Sequence, residues 1–505
     1  MRVLTPTRAE RARLTLVLIL TLTLVTTFAA VAERITIVHF NDSHGNALVP
    51  EDEGDLGGLA RIATTIERIR AENMAESAPG ATTIVLVAGD VLQGTPLATV
   101  FRGEVDFKAL NAIGIDAMVL GNHEFDFGMP NLHRLIDMAE FPVLSANIRH
   151  RVDGTAAFPG TLRIPVGDEE VVIVGLTTPE TSITTKPSNV ANLIFEDPIE
   201  VAATLGRRIT HSRDRLMVAL THLGYDEDLK LGEAVPAIDV VVGGHSHTRV
   251  EEATLAGNAI VVQAGSKGQW VGRLDLDVED GRVRSYEYRL IPMDASVPEE
   301  PRVAAIVAGY AGQLDDAMKK VVGHTTVFLD GEREHVRAME TNLGNAITDA
   351  MRLVSGAPIA LHNGGGIRAA IDAGDITLAD ILQVLPFGNE VATVELTGAQ
   401  LREILARSIA EPRPHGGFLQ VSGIKLVAEG DQVVEVTVDG APLDDAQTYL
   451  VTTNAFLMEG GDGYETFTRG SGQYYVGTKL DTAFVQYLTE MGTIAPEVEG
   501  RITFR

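Results

Sequence analysis

The sequence predicts an α/β protein. Five short, β-branched apolar runs each stop abruptly at polar residues, and the stretches between them carry apolar residues at helical spacing. Hydrophobic residues make up 45% of the 505-residue chain and charged ones 22%, an ordinary globular mixture that excludes wholesale disorder and a polytopic membrane protein. That length exceeds one ordinary core and gives a prior of about three domains, two large ones being compatible with it.

The chain opens with a segment distinct from the rest. Met1 to Arg13 carries Arg2, Arg8, Arg11 and Arg13 against Glu10, and Leu14 to Phe28 is apolar and Leu-rich, ending in Ala30-Val31-Ala32 before Glu33. This pattern predicts a signal peptide over 1–32 with a small-x-small cleavage site. The body is then exported, periplasmic or extracellular, with no stable membrane insertion after cleavage. An uncleaved N-terminal anchor is the alternative.

The five strands follow in order. Arg34 to Phe40 leads into Asn41-Asp42-Ser43-His44, Thr83 to Ala88 into Gly89-Asp90, and Asp116 to Val119 into Leu120-Gly121-Asn122-His123-Glu124-Phe125-Asp126. Leu216 to Leu220 leads into Thr221-His222, and Ile238 to Val242 into Gly243-Gly244-His245-Ser246-His247. Open α/β sheets place their sites at the carboxyl ends of strands, so these loops converge on one crevice. Leu59, Ile62, Ile66 and Ile69 mark a helix after Gly57-Gly58, and Pro130 a first-turn proline before Leu132 to Ala139. Further strands are expected over Val261 to Ala264, Gly272 to Val278 and Arg284 to Ile291; Pro292, Pro298 and Pro301 then interrupt the chain. The expected division is a catalytic domain over 33–298, a linker helix over 299–320 and a second mixed α/β domain over 321–505.

The residue types at the strand ends are those of a metal site. Asp42 and His44, two apart on a segment expected to be extended, point to the same side; His245 and His247 repeat that spacing and could serve one cation each. Asp90 offers a carboxylate able to bridge two cations, while Asn122 and His222 offer single neutral ligands. Two divalent ions bring four positive charges, of which Asp42 and Asp90 remove two, so the pocket suits phosphate. His123, held by Asp126, suits charge stabilisation or protonation of a departing oxygen. The formal charge of −28 excludes a nucleic-acid polymer as partner. The absence of cysteine excludes disulfides, thiolate metal sites, a cysteine nucleophile and a lipid-modified cysteine.

Taken together, these motifs resemble the calcineurin-like metallophosphatases and, more narrowly, the secreted bacterial and cell-surface 5'-nucleotidase family. The resemblance covers nearly the whole mature chain. It implies a layered α/β/β/α sandwich with a second, mixed α/β substrate-binding domain. It further implies one metal on Asp42, His44, Asp90 and His247, a second on Asp90, Asn122, His222 and His245, and a catalytic pair of His123 and Asp126. His247 is a departure, standing where many relatives carry Gln or Asn. The metals are two divalent ions among Zn, Mn, Co and Fe, which mixed His, Asn and Asp ligands all suit.

In the second domain Asn363-Gly364-Gly365-Gly366-Ile367-Arg368, Phe418-Leu419-Gln420-Val421 and Gly460-Gly461-Asp462-Gly463 resemble nucleotide-binding loops of the same family. The likeness assigns the phosphate to Arg337 and Arg368, the base to Asn363 between the rings of Phe418 and Phe456, and the ribose hydroxyls to Asp462. Stacking between two rings accepts any base. The implied activity is metal-dependent phosphoric ester hydrolysis of small nucleotides, foremost nucleoside 5'-monophosphates. A 2',3'-cyclic nucleotide phosphodiesterase or nucleotide-sugar hydrolase on the same scaffold is the nearest rival. A sulfur-ester hydrolase is more distant, and an inactive nucleotide-binding module belongs to another class.

Overall fold

The computed structural model describes residues 33–49, 55–75, 82–209 and 215–505, so the expected signal peptide lies outside the described residues. Two six-stranded sheets dominate the first half. One runs in the order 282–292, 270–279, 33–40, 82–87, 117–119, 143–144, and the other 254–256, 259–263, 240–243, 215–222, 169–177, 161–166. Strands that end in candidate ligands pair in parallel within each sheet, Glu33–Phe40 with Thr82–Val87 and Arg215–His222 with Val240–Gly243. Their carboxyl ends therefore face one way, and antiparallel strands close three of the four outer edges, the exception being Val143–Leu144, which pairs in parallel.

Alternation along these strands builds the layers. Ile35, Ile37, Ile84 and Leu86 of the first sheet meet Leu216, Val218, Leu220, Val240 and Val242 of the second in one buried cluster. The opposite faces are covered by helices. Val38, Phe40, Val85 and Val87 pack on Leu59, Ile62 and Ile66 of helix Leu59–Ala75 and on Phe107 and Leu110 of helix Glu104–Ile113. Met217, Ala219 and Val241 pack on Ala202 and Ile209 of helix Pro198–Ile209 and on Leu231 of helix Tyr225–Ala234. The result is the α/β/β/α sandwich.

Helix Pro301–Met318 lies against this body. Val303 and Val307 are buried in its outer core, and Tyr310 donates to Glu104 at 2.5 Å. Beyond it a mixed five-stranded sheet, ordered 419–422, 359–363, 448–454, 390–397, 471–479, forms the centre of the second domain. Helix Gly398–Ala410 covers one face, and helices Asn342–Ser355 and Leu480–Met491 the other. Across the described residues, no helix is long and apolar enough to cross a membrane.

Candidate metal centre and cleft

The strand-end loops bring the expected ligands together. Asp42, His44 and His247 form one group and Asp90, His222 and His245 another, with the donor atoms of each group within 4.8 Å of one another; a third such group joins His44, Asp90 and His123. Asp90 thus sits between the two ligand sets, its Oδ2 3.1 Å from His222 Nε2. His44 Nε2 lies 2.9 Å from His247 Nε2, and Asp42 Oδ1 3.4 Å from the latter.

Backbone conformation corrects the expected geometry. Asp42 and His44 are not on an extended segment: φ is 49° and 47°, in the left-handed region, and Asp90, His245 and His247 follow at 51°, 78° and 60°. Side chains with a Cβ rarely sit there. The surrounding bonds hold them: Asp42 N and His44 N donate to the carbonyls of Gly89 and Asp90, and His245 N donates to Asp42 Oδ2 at 2.9 Å. Strain of this kind concentrates where function needs side chains aimed at one point.

The donor set fits divalent cations. His222 Nδ1 lies 2.7 Å from the Ala88 carbonyl and His44 Nδ1 3.2 Å from that of Gln93, an arrangement that makes Nδ1 the donor and turns Nε2 toward a cation. Asn122 Oδ1 is buried and has no hydrogen-bond partner among the described residues, a costly state for an amide unless a cation completes it. Against burial, Asp90 and Asp42 push the His222 pKa up to about 10 in the chain alone; a cation there displaces that proton.

Glu124, which the ligand pattern leaves without a role, ties two of the loops. Its buried carboxylate accepts from the amides of Asp90 at 3.0 Å, Val91 at 2.9 Å and Gly121 at 2.6 Å. His123 borders the ligand sets and pairs with Asp126. Its Nδ1 is 2.5 Å from Asp126 Oδ2, while Thr185 donates to Asp126 Oδ1 at 2.8 Å. Burial opposes the charged imidazole, but Asp126 and Asp90 outweigh it and hold the His123 pKa above its ordinary value.

The second domain completes a cleft of about 1070 Å³ whose wall includes Asp90, Asn122, His123, His245 and His247 from one side and Arg337, Asn363, Arg368, Phe456 and Asp462 from the other. Asn363 donates to Asp462 Oδ2 at 2.8 Å. Lys186 and Glu459 join the domains beside it through a 3.0 Å ion pair.

Phe418 is a correction: it is fully buried in the second domain's core and contributes nothing to the cleft wall. It immediately precedes strand Leu419–Ser422, and its ring packs inward with Phe504 and the residues of helix Gly398–Ala410. Phe387 does face the cleft, alongside Phe127 and Phe456; it is partly exposed, with its ring centroid 5.8 Å from that of His123 and 5.6 Å from the Arg368 guanidinium carbon. A signal for it was available: Phe387 stands in Pro386-Phe387-Gly388-Asn389, turn chemistry that removes an aromatic from the regular core. Arg333 is a further cleft residue that no sequence motif marks. It lies one helical turn before Arg337 in the same cleft, the i, i+4 spacing that puts two side chains on one face.

Comparison with known proteins gives two matches to family models, "Calcineurin-like phosphoesterase" over residues 35–249 and "5'-nucleotidase, C-terminal domain" over residues 321–469. The chain is 33% identical to human 5'-nucleotidase over 98% of its length and 95% of that protein's. It is 35% identical over 93% of its length to the trifunctional nucleotide phosphoesterase protein YfkN of Bacillus subtilis, of which it spans only 35%. The crystal structure of a 5'-nucleotidase precursor from Thermus thermophilus superposes with a TM-score of 0.83 at 33% identity, covering 93% of this chain and 99% of that one.

Proposed function

Because the chain belongs to the 5'-nucleotidase family of metallophosphatase hydrolases, we propose that it is an exported, dinuclear metal-dependent phosphoesterase that releases phosphate from nucleoside 5'-monophosphates and related nucleotides. One observation carries this reading: a single cleft joins both histidine and carboxylate groups and the His123 and Asp126 pair to the arginines and aromatic rings of the other domain. The assignment divides the chain at 33–298, 299–320 and 321–505, and export rests on the basic and apolar N-terminal segment.

Divalent ions on the two ligand sets would supply Lewis-acid charge and ionise water near neutral pH. Asp42, His44, Asp90 and His247 form one set and Asp90, Asn122, His222 and His245 the other. Arg337 and Arg368, joined by Arg333, bind the phosphate, for which planar guanidinium donors are suited. His123, kept protonated by Asp126, donates the proton taken by the departing ribose oxygen as its bond to phosphorus breaks. Phe387 takes the place assigned to Phe418 and stacks the base opposite Phe456, with Asn363 at the base edge and Asp462 at the ribose hydroxyls.

The test is phosphate release from 5'-, 3'- and cyclic nucleotides after metal stripping and readdition of single metals. Preference for 5'-monophosphates, restored by metal, is the expected result; equal turnover of all three nucleotide classes would refute the 5'-monophosphate assignment. The cleft volume matches the upper end of small-molecule pockets, about 1,000 Å³. Nucleotide sugars therefore belong in the panel.

A further inference from the structure

The loop residues that would meet a nucleoside are oriented by a side chain that lies behind them. Asn454 ends strand Thr448–Asn454, is fully buried and is not part of the cleft wall. Its Nδ2 is 2.9 Å from His362 Nδ1 and 3.0 Å from Asn363 Oδ1, and its Oδ1 accepts from Leu457 N at 2.9 Å. Both amide hydrogens and the carbonyl are engaged, so the amide cannot be turned over without placing like groups face to face.

The consequences pass in three directions. Accepting at Oδ1 fixes the Asn363 amide so that Nδ2 points to Asp462, which receives it at 2.8 Å. Capping Leu457 N sets the start of helix Ala455–Met458, which carries Phe456. Donating to His362 Nδ1 puts the imidazole hydrogen on Nε2, under the glycine loop; a Cβ on Gly366 would come within 2.7 Å of that nitrogen. His362 is buried and neutral, its pKa pushed down to about 4 by burial, so it stays an acceptor at Nδ1.

We propose that Asn454 is a positioning residue for nucleoside recognition, setting Asn363, Asp462 and the Phe456 helix together while leaving the phosphate chemistry alone. This deepens the reading given above and rests on it. The substrate class affected is phosphate esters that carry a nucleoside, as opposed to small esters that present only the phosphate.

The decisive variant is Asn454→Asp. It is isosteric and keeps the oxygen that caps Leu457 N, but it turns an acceptor toward Asn363 Oδ1 and His362 Nδ1. The expected result is a rise of about tenfold in KM for adenosine 5'-monophosphate, the scale of one misdirected polar contact, with kcat, bound metal and kcat/KM for p-nitrophenyl phosphate held at wild-type values. Asn454→Ser, which retains a capping oxygen too short to reach Asn363, should give the same split and serves if the aspartate variant fails to fold. In an Asn363→Ala background the Asn454→Asp effect should shrink, because the two act through one contact. Equal losses for the nucleotide and the aryl phosphate would show a merely structural role and overturn the proposal. So would an unchanged nucleotide KM in both Asn454 variants when Asn363→Ala raises it. If Asn363→Ala itself leaves the nucleotide KM unchanged, the nucleotide-binding reading fails, and the proposal falls with it.

Discussion

Arg333 in the second domain brings Nη1 to 3.1 Å from Nδ1 of His247, a candidate metal ligand in the first. Arginine only donates, so Nδ1 accepts, and in the neutral ring the hydrogen moves to Nε2. Burial keeps this ring neutral, its pKa pushed down to about 4 against the pull of Asp42. Nε2 is the atom that faces His44 and Asp42. His44 and His222 show the opposite arrangement, with Nδ1 against a carbonyl. Arg333 and a cation therefore compete for His247.

Removing that competitor should strengthen metal binding. Arg333→Ala is expected to tighten divalent-ion affinity, read by chelator competition, by up to about tenfold, the scale on which a ligand's outer partner tunes a metal site. The same variant should raise KM for nucleotides by losing a phosphate donor. Unaltered metal affinity would show that the ring turns away from Arg333 at no cost.

His123 and Asp126 predict a pH effect whose sign follows from the raised pKa. The proton-donating form exists below that pKa, so turnover should fall as pH rises through it. Asp126→Asn removes the carboxylate held 2.5 Å from Nδ1 and should move the alkaline limb of the rate profile to lower pH. His123→Ala should cost about 10²–10⁴ in kcat with metal content unchanged. A lost metal ion in that variant would make His123 a ligand, which its membership of the group with His44 and Asp90 allows to be tested.

The two phenylalanines separate binding from folding. Phe387→Ala should weaken nucleotides by about 1–3 kcal/mol, the range for a lost stacking face, and spare aryl phosphates. Phe418→Ala should instead cost about 3–5 kcal/mol of stability, as for other buried rings, visible as a fall in Tm for a protein of normal nucleotide KM. The reverse pattern would restore the assignment drawn from sequence.

How far the sequence could be read follows from where the signal is local. The β-branched apolar runs and the polar residue after each pointed to the strands and to the convergence of Asp42, Asp90, Asn122, His222 and His245, because each run and its ending are set by neighbours within a few residues. The left-handed backbone at Asp42 and His44 was not legible, since nothing in Asn-Asp-Ser-His demands it. Bonds to Gly89, Asp90 and His245, distant in sequence, impose it. Phe418 misled for the same reason: it adjoins a recognisable loop, but strand pairing of 419–422 with 359–363 decides which way it faces. Arg333 and Glu124 act across loops or domains that only the fold brings together.

Asp106 gives a prediction for stability alone. It lies in the first turn of helix Glu104–Ile113, is fully buried, and neither carboxylate oxygen has a hydrogen-bond partner among the described residues. Burial, with a smaller push from Glu124, raises its pKa to about 7, against a backbone contact that lowers it. An unfolded aspartate titrates at about 4. Between those two values the folded chain holds the proton that the unfolded chain has lost, so this group's contribution is complete below about pH 4 and declines as pH rises through about 7. Asp106→Asn keeps a neutral side chain of similar shape and removes the titration. Denaturant unfolding of the metal-stripped protein should therefore show a pH slope flatter by about one proton across that window, with the variant gaining on wild type at pH 8 relative to pH 5. An identical slope in the two proteins would mean that Asp106 ionises in the ordinary range, and hence that water reaches it.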